Sequence, residues 1–187
     1  MGPPVTGAGM DWFVVAHAGD AGVGPGATAG LGALAGLLAT VLMNLPMQRL
    51  PEGSTPPFVA AGALTGEALS EVSSGLASLA HYAAGTLAGV TFVLVAELVE
   101  RFVRAQGGAP GFDIALGGTG LLLVPHLIAA AVTFSVLFAL FAYVVLPLFG
   151  KEAASRARRV RNDWAIAATV YTVALTALLP VLTFVLV

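Results

Sequence analysis

The residues of this sequence whose types and surroundings could do chemistry are three histidines and one carboxylate. His81 stands in the run Ala80-His81-Tyr82 and His126 in Pro125-His126-Leu127, both inside long apolar stretches, while His17 sits in a short glycine-rich segment. An imidazole is costly against hydrocarbon, so in such a stretch it faces a neighbouring helix or a wet cavity, as a ligand, a proton relay or a donor to a backbone carbonyl. Glu97, at the far end of the stretch that holds His81, is the carboxylate that could pair with His126 as a proton-handling site. His17 reads as a solvated loop residue. A haem shared by His81 and His126 is excluded by depth. The two histidines lie near opposite ends of antiparallel helices, roughly 15–20 Å apart in level at 1.5 Å per residue, whereas two axial nitrogens on one iron lie about 4 Å apart.

Other reaction classes lack their residues. The sequence has no HExxH or paired ExxH for zinc or a di-metal centre, no GxSxG and no pair of aspartates within an apolar stretch, so the expectation is a protein with no metal site, no bound cofactor and no enzymatic activity. The glycines at 107, 108 and 111 and at 117, 118 and 120 could evoke a phosphate cradle, but no Lys-Ser/Thr follows them. With no cysteine there is neither a disulfide framework nor a thiolate site.

The elements that must position these side chains are membrane helices. Of 187 residues, 58% are hydrophobic and 10% charged, with a mean hydropathy of +0.93, against roughly 45–50% apolar and about 25% charged in soluble domains. The stretch from Leu121 to Phe149 has no charged residue and is apolar around the whole helical wheel. Three comparable blocks give an all-α integral membrane protein, a bundle of four transmembrane helices at about 27–47, 77–98, 121–147 and 164–186. Residues 1–26 lack the basic start of a secretory signal and are expected to form a flexible extracytoplasmic segment, with Trp12 at the interface.

Within the spans, small residues recur at helical spacing. Gly32, Gly36 and Thr40 line one face of the first span, and Ala77, His81, Gly85 and Gly89 one face of the second, so each stripe is expected against a neighbouring helix. Val93, further along, is expected to matter less to packing. Asn44 and Pro46 are read as ending the first span. A short surface helix should follow, with Thr55 as its cap, Pro56 in its first turn and Ala61, Leu64, Ala68, Leu69 and Val72 on one face. Glu97 with Arg101 and Glu100 with Arg104 have ion-pair spacing. Pro125 is tolerated in the first turn of the third span and Pro147 closes it. In the fourth, Thr169, Thr172 and Thr176 share a side, and Pro180 frees the carbonyl of Thr176.

Basic residues set the orientation. With the termini outside, the cytoplasmic loops hold six (Arg49, Lys151, Arg156, Arg158, Arg159 and Arg161) and the outer loop two (Arg101 and Arg104). Both termini are therefore placed outside a multi-pass cell membrane. The juxtamembrane position of the basic run makes it an anchor rather than a nucleic-acid site.

Gly36-Leu-Leu-Ala39-Thr40-Val-Leu-Met43, His81-Tyr82-Ala-Ala-Gly85 and Leu146-Pro147-Leu148-Phe-Gly150 together resemble a broad group of small four-span prokaryotic membrane proteins, haloarchaeal in type, of uncharacterised function. The resemblance implies a stand-alone span bundle over about residues 27–186 and lends no activity. The residues themselves favour a structural or accessory membrane protein, in contact with the lipid bilayer, packing as a homo-oligomer or as a subunit of a larger complex. The alternative is a small proton-coupled carrier using His81 or His126 with Glu97. The candidate functional residues are His81, Gly85, Gly89, Glu97 and His126.

Overall fold

The computed structural model describes residues 24–108, 114–116, 119 and 121–187. The N-terminal segment before Gly24, with Trp12 and His17, and the middle of the glycine-rich connection lie outside the described residues. Four helices long and apolar enough to cross a membrane, Gly26–Met47, Ser74–Ala105, Leu123–Phe149 and Lys151–Leu186, fall on the four expected spans. The fold is an all-α four-span bundle; among the described residues the only β feature is one antiparallel bridge, Ala115 to Leu122.

The first span, α1 (Pro25–Met47), opens on a proline, whose missing N–H is not needed there. The second, α3 (Ser74–Ala105), is capped by the Ser73 hydroxyl, which accepts from the Leu76 N–H at 3.2 Å. It stops where Gly107 and Gly108 take φ of 88° and 78°, backbone that glycine adopts without strain. The two small-residue stripes meet each other. A Cβ placed on Gly36 would lie 2.9 Å from the Cα of Gly89, and one on Gly89 2.7 Å from the Cα of Gly36, so backbone touches backbone. A Cβ on Gly32 would meet Val93 at 2.7 Å, and Val93 is buried. The stripe thus runs one turn beyond Gly89 and takes in Val93, which was expected to matter less to packing.

The third span departs from its expected course. It begins as α4 (Leu123–Ala139), widens into a π turn (Leu140–Val145) and resumes as α5 (Leu146–Phe149), so Pro147 lies inside the helix and Gly150 ends it. A proline in a helix has no N–H and crowds the carbonyl four residues back, and the wider turn just upstream accommodates both defects. The Trp164 indole donates to the Leu137 carbonyl at 3.1 Å beside this turn and packs on Phe141 at 5.0 Å between ring centroids.

The fourth span is longer than expected. A 3-10 helix (Lys151–Arg156) leads into α6 (Ala157–Leu186), so Arg158, Arg159 and Arg161 occupy the first turns of a helix rather than a loop. In the bundle α1 and α4 each pack against both α3 and α6, giving a square of four spans. Ala35, Ala39, Phe92, Ala129, Tyr171 and Leu175 form its centre.

The short helix between spans one and two, α2 (Thr55–Thr65), also differs. It ends at Gly66, with φ of 78°, so Ala68, Leu69 and Val72 lie in turns beyond it, and Leu64 is 77% exposed. Ser54, not Thr55, holds the cap position. The helix has no single apolar face. Val59 packs with Phe141, Leu146, Ala153 and Val160, while Ala61 packs with Val72 and Ala77. It is wedged into one end of the bundle instead of lying flat on it.

Candidate functional site

Beside that wedge is a polar cluster of side chains built on two facing spans. Asn44, in the last turns of α1, donates from Nδ2 to the Tyr82 hydroxyl at 2.8 Å, and its Oδ1 accepts from His81 Nε2 at 3.1 Å. The bond to Oδ1 makes Nε2 the protonated nitrogen of His81 and leaves Nδ1 outside this chain of bonds. The three side chains line a cleft of about 410 Å³ between the end of α1, the start of α2 and the first turns of α3, with Gln48, Ser54, Ser74 and Ser78 adding hydroxyls and an amide, and Met47 and Phe58 an apolar wall. Among the described residues no Asp, Glu, Lys or Arg lines it. Its chemistry is therefore that of neutral hydrogen bonding around one imidazole.

Asn44 was legible in the sequence only as a stop signal. An amide inside hydrocarbon needs partners, and that necessity is the signal which could have placed it opposite His81 on the next span. One turn deeper, Gly85 joins three spans. Its face abuts Thr40 of α1 and its carbonyl accepts from the Tyr171 hydroxyl of α6 at 2.6 Å. Gly85 and Gly89 thus serve helix contact, as their spacing predicts, and their faces are filled by α1.

His126 occupies a separate centre. It is 2% exposed, packs edge-on against Phe92 with ring centroids 4.8 Å apart, and donates from Nε2 to the Thr176 carbonyl at 2.9 Å. That carbonyl lacks its helical partner because residue 180 is proline. The buried Nδ1 of His126 has no hydrogen-bond partner among the described residues, nor have the hydroxyls of Thr133 and Thr172. Thr169 and Thr176 bond back to the carbonyls of Ala165 and Thr172.

The structure does not bring Glu97 to His126. Glu97 pairs with Arg101 at 3.2 Å, and Glu100 pairs with Arg104, as the spacing predicts. His126 sits at the level of Phe92, five residues short of Glu97, or about 7 Å along the helix. His81 lies eleven residues from Phe92 on the other side, about 16 Å away in level, so the two histidines serve two unconnected centres.

Sequence reasoning missed a third cluster, which ties the loops at the end where α2 sits. The buried Glu52 carboxylate accepts from Arg156 at 2.9 Å and from Thr55 at 2.7 Å, and the buried Asp163 accepts from the Glu52 backbone N–H at 2.8 Å. Glu152 accepts from the Leu69 N–H at 3.1 Å. These partners are separated by up to 111 positions, and no local pattern announces such a bond. Fold and clusters define a multi-pass α-helical membrane bundle with polar interior contacts. Compared with known proteins, the chain matches no family model, no curated protein and no solved structure.

Proposed function

We propose that the protein is a structural or accessory component of the cell membrane, with both termini on the outer side, acting through what its surface holds rather than by moving a solute through its interior. The observation that carries this reading is the separation of its polar centres. The Asn44–His81–Tyr82 cluster and the His126–Thr176 bond lie at different levels, and the packed layer of Ala35, Ala39, Phe92 and Tyr171 stands in the bundle's centre. A carrier places exchangeable polar groups near the midplane, where both sides can reach them. Here Thr40, Tyr171 and His126 are bonded to backbone carbonyls of Gly36, Gly85 and Thr176.

The cleft beside His81 is the observation that favours the carrier as a second reading. It opens at one end and is bounded inward by the contact of Thr40 with Gly85. Native mass spectrometry from mild detergent tests the accessory reading. The expected result is a second copy or a membrane partner in fixed stoichiometry; a solitary monomer with no retained component would overturn it.

A further inference from the structure

On the outside of the bundle, α1 and α6 leave an apolar groove of about 680 Å³, lined by Leu42, Leu45, Pro46, Val170 and Val173, with Arg49 at one end. Leu42, Leu45 and Val173 are 40%, 52% and 64% exposed, and on a membrane helix such exposure is to lipid. From Leu42 to Arg49, just past the end of α1, the groove extends about 10 Å, and among the described residues no acid lines it. The Arg49 side chain is exposed and its guanidinium makes no ion pair or hydrogen bond among the described residues. Four acids of the same end are engaged elsewhere: Glu52 by Arg156 and Thr55, Asp163 by the Glu52 N–H, Glu152 by the Leu69 N–H and Glu71 by the Ala68 N–H.

We infer that this groove is a binding site for one anionic phospholipid, whose acyl chain lies along Leu42, Leu45 and Val173 and whose phosphate meets Arg49. An unpaired guanidinium at the mouth of an apolar channel complements a negative headgroup joined to a hydrocarbon tail, and it distinguishes that lipid from a zwitterionic one. The apolar part alone would accept any acyl chain. The selectivity belongs to Arg49.

The test is native mass spectrometry of the whole protein after equilibration in mild detergent with equimolar phosphatidylglycerol and phosphatidylcholine. The wild type should retain phosphatidylglycerol preferentially, and Arg49→Gln should reduce that preference about fivefold, the equivalent of about 1 kcal/mol per basic residue at a membrane surface. Arg49→Lys should keep most of it. Val173→Trp, which fills the groove, should lower retention of both lipids, and Arg158→Gln with Arg159→Gln should leave the ratio near the wild-type value. Thermal unfolding of each variant confirms that it is folded. An unchanged ratio in Arg49→Gln would overturn the proposal. So would an equal fall in the Arg158/Arg159 variant, which would assign the preference to a diffuse basic surface, or a dimer that Val173→Trp abolishes without any change in lipid, which would give the groove to a second copy.

Discussion

At the scale of single residues, the close approach of α1 and α3 rests on atoms that are not there. Because a Cβ on Gly89 would face the Gly36 backbone at 2.7 Å, Gly89→Ala can be accommodated only by moving a helix. Overpacking of this kind costs about 1–3 kcal/mol, and the melting temperature in detergent should fall accordingly. Gly85→Ala should also be destabilising, but its obstacle is the Thr40 hydroxyl, a side-chain atom that can be removed. Thr40→Ala should therefore recover part of the loss, and strict additivity of the two changes would contradict the contact. Gly75 has open space around its Cβ position, so Gly75→Ala should cost nothing and is the direct comparison. These glycines were legible in the sequence because a four-residue spacing has one helical meaning. The cluster of Asn44 with His81 and Tyr82 was only half legible: the cost of a buried amide is local knowledge, but its partners lie 37 and 38 positions away.

At the scale of elements, prolines explain where the helices depart from regularity. Pro180 withholds an N–H from the Thr176 carbonyl, and His126 on α4 supplies the missing donor across the interface. This coupling makes a measurable prediction. In the wild-type background His126→Phe should destabilise by about 1–3 kcal/mol, the cost of leaving a buried acceptor unpaired. In a Pro180→Ala background, where residue 180 can again bond Thr176, the same change should cost distinctly less. Equal penalties in the two backgrounds would separate His126 from the proline. The freed carbonyl could be read from Pro180 alone, but not its partner, since no periodicity assigns a donor on another helix. Pro147, by contrast, was read as the end of the third span, whereas the helix continues to Phe149, because its accommodation by a π turn depended on neighbours such as Trp164. The short helix α2 misled the periodicity for a related reason: Gly66 ends it, and a helix wedged among several partners has no need of a single apolar face.

At the scale of the whole molecule, the four spans follow from composition and block length alone, which is why that part of the fold was readable without any motif. Orientation adds the charge asymmetry, six basic residues against two. If the positive end faces the cytoplasm, a membrane-impermeant thiol reagent applied to intact cells should label Gln106→Cys and spare Arg158→Cys, both at exposed positions; the reverse pattern would invert the topology. The same inversion would overturn the placement of the termini but leave the interior packing untouched, and with it the proposal that no solute crosses the interior, which depends on whether the polar centres communicate. Proton flux into vesicles reads that directly. With the purified protein reconstituted and a pH-sensitive dye enclosed, an imposed pH gradient should decay no faster than in protein-free vesicles. A faster decay that His81→Ala or His126→Ala abolishes, in variants that still fold, would contradict the account and make the protein a carrier.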